Sequence, residues 1–155
     1  MLPLDLSQTL AETIDVLRET RDPWWIISSA AVALHGVTPI AVGDVDVLVS
    51  VADATRVMDA LGVAPTTDAA NSVFRSAVFG RWTGAPLVVE IMADFHVATS
   101  GGWVGILPRT RVPILVEGRV AHVPDREELL AMLRLFGRPK DLARAGLLTN
   151  FRAVS

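Results

Sequence analysis

Asp44 and Asp46 stand one residue apart in AVGDVDVLVS (41–50), a run otherwise rich in valine and other apolar residues. On a strand, residues i and i+2 project from one face, so both carboxylates point the same way. Two like charges that close repel, and in a partly dry site one stays protonated unless a cation lies between them. Oxygen-only ligands at this spacing suit Mg²⁺ or Mn²⁺ rather than zinc or copper. A third carboxylate, Glu90, interrupts the apolar run PLVVEIM (86–92), on a strand that could lie beside the first. Asp94 is the reserve candidate for that third position. The bland alternative is a frayed strand end whose aspartates are solvated and idle.

These carboxylates need elements to hold them. Leu6, Leu10, Ile14 and Leu17 recur at helical spacing, which predicts an amphipathic helix from about Ser7 to Thr20. WWIIS (24–28) reads as a short buried strand, and Ser28-Ser29 leads into a helix of small residues ending at Gly36. The start of such a helix offers free N–H groups to an anion, and the Ser29 hydroxyl adds one donor. A plain N-cap serine is the competing reading. The strand carrying the two aspartates is expected over 44–51, followed by a helix that Asp53 caps and Gly62 closes. SVFRSAVFG (72–80) and APLVVEIMADFHV (85–97) each read as carrying a further strand, and TSGGWVGILP (99–108) as a Gly-rich loop. PILVEGRVAHV predicts a hairpin turning at Glu117-Gly118. Asp125 with Glu128 predicts a capping box for the helix EELLAMLRLF, and Pro139 opens a last helix, KDLARAGLL. The expected fold is α/β (α+β), a mixed β-sheet with packed helices, in one domain over 1–155.

Composition narrows the function. The chain has 155 residues, 51% of them hydrophobic, a net charge of -3 and no cysteine. That excludes disulfides and Cys-ligated zinc, and argues against tight sequence-independent binding along nucleic acid, which needs a basic stripe. No segment approaches the ~20 apolar residues of a membrane helix, and the N-terminus lacks a signal-peptide pattern. A cytoplasmic protein is expected, without a membrane partner. No G-x-x-x-x-G-K-[ST], G-x-G-x-x-G or G-x-S-x-G occurs, which sets aside P-loop, dinucleotide and hydrolase readings. His35, His96 and His122 lack metal-pair spacing. Trp103, in the Gly-rich stretch, has a better claim to a ligand than Trp24 or Trp25.

A turn suited to phosphate, a D-x-D on the next strand and a lone acidic residue on a later one form a specific order. IISSAAVALHG, GDVDVLV and VVEIM resemble the nucleotidyltransferase superfamily with the DNA polymerase beta-like fold. The minimal bacterial nucleotidyltransferases, among them those of type IV toxin–antitoxin systems and some antibiotic adenylyltransferases, are the most similar subgroup. GRPKDLARAGLL resembles the R-x-KD-L helix that often closes such domains, so the resemblance covers about residues 20 to 150. It implies transfer of NMP from an NTP, with ATP the first candidate, to a hydroxyl on a protein, an RNA end or a small molecule, with release of pyrophosphate. Asp44, Asp46 and Glu90 would be the catalytic and metal-holding residues, with Mg²⁺ or Mn²⁺ as cofactor. Ser28, Ser29 and Lys140 would bind the nucleotide.

The chain also departs from that pattern. Ser28 replaces the usual first glycine of the turn, Arg144 stands where a further acidic residue often follows KD-L, and the loop 37–43 has no basic or hydroxyl residue after Thr38. A catalytically degenerate nucleotide-binding or partner-binding module on the same fold is therefore the alternative. A protein partner or a homodimer could complete the cleft.

Overall fold

A computed structural model describes residues 2–66 and 71–151. In chain order the elements are α1 (Leu4–Leu17), β1 (Trp25–Ile27), α2 (Ser28–Leu34), β2 (Asp44–Val49), α3 (Val51–Leu61), β3 (Phe74–Arg75) and β4 (Val78–Trp82). There follow β5 (Val88–Ala93), β6 (His96–Thr99), β7 (Gly102–Gly105), β8 (Val112–Val116), β9 (Arg119–Val123), α4 (Arg126–Phe136) and α5 (Pro139–Asn150).

The central sheet has the order β1-β2-β5-β4 and is mixed: β2 and β5 run parallel, while β1 and β4 are antiparallel to their neighbours. Instead of one continuous sheet, the remaining strands form a three-stranded sheet, β3-β6-β7, and a separate hairpin, β8-β9. The fold class is as the sequence predicts: helices packed on a mixed sheet.

Strand alternation sorts the central sheet into two faces. Ile26, Val45, Val47, Val89 and Ile91 enter the main core, where they meet Leu6 and Leu10 of α1, Val57 of α3 and Leu129 and Leu133 of α4. The opposite face carries Ile27, Leu48 and Met92, which join Phe79, Phe95, Met132 and Phe136 in a second cluster. Asp44, Asp46 and Glu90 belong to that second face. It is incompletely covered by apolar groups, and the gap is the cleft described below.

Several expectations are corrected. The first helix begins at Leu4 and ends at Leu17, because the chain then turns to bring the Arg21 and Asp22 N–H groups onto the Asp53 carboxylate, at 2.9 and 2.8 Å. Asp53 thus anchors that turn, and the cap of α3 is Ser50, whose hydroxyl accepts from the Asp53 N–H at 3.0 Å. The stretch 72–80 splits into β3 and β4 of different sheets. In 85–97, Asp94 takes a left-handed backbone (φ 53), which an aspartate tolerates better than most residues, and divides β5 from β6. The Gly-rich stretch is not a loop: β7 pairs with β6 from His96↔Gly105 to Thr99↔Gly102.

The hairpin turns at Glu117 (φ 49) and Gly118 (φ 75), the paired positive angles of a tight two-residue turn. Asp125 caps α4 by accepting from the Glu128 N–H at 2.8 Å. The reciprocal half of the box is absent: Glu128 instead accepts from the Arg109 and Thr110 N–H groups and the Thr110 hydroxyl, which pins that connection to α4. Gly137 (φ 70) then ends α4 and redirects the chain into α5. At the far end of α5, Arg126 donates to the carbonyls of Leu148 and Thr149 at 2.8 and 2.9 Å, satisfying orphan groups of the helix terminus. Held at both ends, α5 presents its first turns to the open face of the sheet.

Candidate functional site

The parallel pairing of β2 with β5 places Asp46 directly beside Glu90. Asp44 lies on the same face of β2, and one carboxylate oxygen from each of the three residues lies within 4.8 Å of the others. The Asp46 Oδ1 atom is buried and has no hydrogen-bond partner among the described residues. Burial, and then the neighbouring charges of Asp44 and Glu90, push the Asp46 carboxyl from its ordinary value of 3.8 up to about 8; Arg144 and Arg138 partly oppose this. An acceptor atom shielded from water and flanked by two further carboxylates is a poor arrangement for ionising all three groups, so Asp46 keeps its proton at neutral pH. The same arrangement is a suitable one around a hard cation, whose oxygen ligands these residues can supply. The donor set therefore fits Mg²⁺ or Mn²⁺.

The three carboxylates lie on one wall of a cleft of about 530 Å³. Five cationic side chains line it as well: Arg75, Arg81, Arg138, Lys140 and Arg144. Arg81 sits opposite Glu90 in the antiparallel β4–β5 register, and its Nη2 lies 3.3 Å from Glu90 Oε1. Arg138, Lys140 and Arg144 come from α5 and the residue before it.

Of the two serines of the turn, Ser28 lines the cleft, whereas Ser29 is 1% exposed and does not. Ser28 adopts φ 57, the left-handed conformation that glycine takes without cost, so the serine keeps the turn that a glycine would make. Lys140 lines the cleft from the first turn of α5. Asp94 is not gathered with the three carboxylates; it lines a different, largely apolar cavity of about 660 Å³ beyond the C-terminal ends of β2 and β5. Trp103 does not line the cleft, but Arg75 does, and its guanidinium lies over the Trp103 ring at 4.5 Å. His35 bonds the Pro124 carbonyl, and His122 packs edge-on against Trp24, both remote from the carboxylates.

The arginines were the less legible part. Lys140 and Arg144 are four apart on one helix, so they share a face, and this spacing was the available signal. Arg138 precedes the helix, where no periodicity applies, and only the turn at Gly137 decides where it lands.

Similarity to solved structures agrees with this architecture. No family model matches the chain, and no curated protein matches it in sequence. Solved structures do, and they give the chain the nucleotidyltransferase fold. TM1012 from Thermotoga maritima, a candidate nucleotidyltransferase, superposes with a TM-score of 0.73 at 23% identity, covering 98% of this chain and 97% of that one. The lincosamide antibiotic adenylyltransferase LnuA, in its lincomycin-bound form, gives 0.62 at 13% identity, covering 92% of this chain and 96% of LnuA. The antibiotic-resistance factor ANT(2'')-Ia gives 0.59 at 13% identity, with 94% and 84% covered. Among the described residues no helix is long and apolar enough to cross a membrane.

Proposed function

We propose that this chain is a metal-dependent nucleotidyltransferase that moves NMP from an NTP to a hydroxyl acceptor and releases pyrophosphate. The observation that carries the reading is the juxtaposition of Asp44, Asp46 and Glu90 within 4.8 Å of one another, in a cleft also lined by five cationic side chains. Such a cleft suits a reaction whose substrate is a polyanion and whose transition state spreads charge over phosphoryl oxygens. The adenylyltransferase neighbours LnuA and ANT(2'')-Ia support transfer of an adenylyl group, and so ATP as the first donor to test.

In this mechanism Asp44, Asp46 and Glu90 would hold Mg²⁺ or Mn²⁺, and a cation there would supply Lewis-acid polarisation of phosphoryl oxygen. Lys140 contributes a point charge to the triphosphate, and Ser28 offers a hydroxyl from the turn before α2. Glu90 accepts the proton of the acceptor hydroxyl. The hydroxyl oxygen bonds to the α-phosphorus as the bond from that phosphorus to the bridging oxygen breaks, and pyrophosphate leaves with that oxygen. Arg81, whose Nη2 lies 3.3 Å from Glu90 Oε1, also lines the cleft, where its guanidinium would face phosphate.

Thermal melting with each NTP, with and without Mg²⁺ or Mn²⁺, tests the reading. A metal-dependent rise for one nucleotide, lost in Asp44→Asn/Asp46→Asn, supports it and identifies the donor. No rise at millimolar nucleotide refutes it. A rise that survives in the double variant, without pyrophosphate release from the NTP in the presence of any acceptor, favours the degenerate binding module instead.

A further inference from the structure

Two arginines face the cleft from the start of α5, and one carboxylate behind them holds both. Asp141 is fully buried, in a place where an unpaired carboxylate would be costly. Arg138 Nε donates to its Oδ2 at 2.6 Å and Arg138 Nη2 to its Oδ1 at 3.0 Å, a fork on a fork. Arg144 Nη1 lies 3.6 Å from the same Oδ1, with the Arg144 side chain 19% exposed. The Arg138 guanidinium also lies 4.5 Å from the centroid of the Phe74 ring, and Phe74 is itself packed against Phe95 and Phe136.

One carboxylate neutralises only one of the two guanidinium groups. The second charge, and that of Lys140 beside it, remains directed at the cleft. Of the five N–H donors of a guanidinium, Arg138 spends two on the Asp141 carboxylate, and its Nη1 has no hydrogen-bond partner among the described residues. The Asp141 Oδ2 atom also accepts from the Arg138 backbone N–H at 3.3 Å, which ties the start of α5 to the same carboxylate. A long arginine normally loses rotamer freedom when it grips a ligand; here that freedom is already lost in the ligand-free fold.

We infer that Asp141 is a positioning residue that sets Arg138 and Arg144 as a two-guanidinium clamp for a polyphosphate, the triphosphate of the donor and then the pyrophosphate. The inference rests on the nucleotidyl-transfer reading for the identity of that polyphosphate. Planar guanidinium groups held at fixed positions match phosphoryl oxygens bidentately, as the ammonium of Lys140 cannot.

Calorimetric titration with inorganic tripolyphosphate at saturating Mg²⁺ tests the clamp without requiring base recognition or turnover. Asp141→Asn, which preserves shape and removes the charge, should weaken binding about tenfold while the melting temperature shows a folded protein. Arg138→Met/Arg144→Met should weaken it by more, and adding Asp141→Asn to that pair should cause no further loss, since Asp141 acts through the arginines. An affinity within twofold of wild type in Asp141→Asn overturns the inference, as does the same tenfold loss persisting in the arginine-free background. Should Asp141→Asn not fold, Arg138→Lys/Arg144→Lys carries the test: a loss of about tenfold, with charge kept and the forks removed, supports the clamp, and unchanged affinity overturns it. Wild type that binds tripolyphosphate yet gives no metal-dependent NTP response refutes nucleotidyl transfer and leaves the clamp standing. Wild type that does not bind tripolyphosphate overturns the clamp whatever NTP does.

Discussion

Asp46→Asn should make the metal-free protein less sensitive to pH while removing its chemistry. In the folded chain the Asp46 carboxyl is raised to about 8, against 3.8 for the free group, first by burial and then by Asp44 and Glu90. Between those values the folded state holds a proton that the unfolded state has released, so stability falls as pH rises. The full slope for one proton is about 1.4 kcal/mol per pH unit. Integrated from pH 6.5 to 8, and allowing for partial ionisation near the upper limit, the loss is on the order of 1–2 kcal/mol. His122, whose pKa is lowered by burial and then by Arg111, is less protonated folded than unfolded near the lower limit, which opposes the decline slightly there and does so equally in wild type and variant. For a chain of this size the loss corresponds to a drop in melting temperature of roughly 3–6 °C. The assay is calorimetric melting in EDTA at the two pH values, for wild type and Asp46→Asn. Wild type should lose stability across the interval while the variant changes little, so the difference between them shifts in the variant's favour toward pH 8. A flat wild-type profile, or an equal decline in the variant, would refute the assignment of that proton to Asp46. Added Mg²⁺ should reverse the wild-type slope, because a bound cation favours the ionised carboxylates and competes with the proton.

Three further outcomes are expected. Glu90→Gln should reduce nucleotidyl transfer by about 100-fold or more, since it removes both a cation ligand and the proton acceptor, and initial rates of pyrophosphate release measure it. Ser28→Gly should leave the melting temperature unchanged or raise it, because relief of the φ 57 conformation offsets the entropy glycine gains in the unfolded chain; a loss of more than about 1 kcal/mol would contradict this. Glu128→Gln should cost about 1–2 kcal/mol at neutral pH by weakening the hold on Arg109 and Thr110. Burial opposes ionisation of Glu128, but the Thr110 hydroxyl and the two N–H groups outweigh it and lower its pKa below 4.5. That contribution is present above pH 4.5 and lost as pH falls through the folded value, so urea denaturation curves of wild type and variant should converge in acid.

What could be read from the sequence follows the range of the forces involved. Period-2 alternation is local, and it put Asp44 and Asp46 on one face of β2 opposite Val45 and Val47 before any coordinate was known. The pairing of Asp46 with Glu90 is non-local. It became legible only because an apolar run tolerates a single carboxylate where something non-hydrophobic needs it. Backbone inversions are local but nearly silent in composition. Asp94 at φ 53 broke one expected strand into two, and Ser28 at φ 57 preserved a turn that its side chain seemed to forbid. The last helix shows why Arg138 and Arg144 stayed hidden while Lys140 was expected at the nucleotide. An i,i+4 pair such as Lys140 and Arg144 reads equally well as a solvated face, and charge patterning alone cannot choose between the two. The choice is made by Asp141. A carboxylate in the first turn of a helix is ordinarily an exposed partner of the helix dipole. Here it is sealed under two arginines. Burial of that one acid is what turns Arg138 and Arg144 from surface charge into fixed geometry, while Arg126, a dozen residues earlier in sequence than Arg138 and on a different helix, anchors the far end of α5.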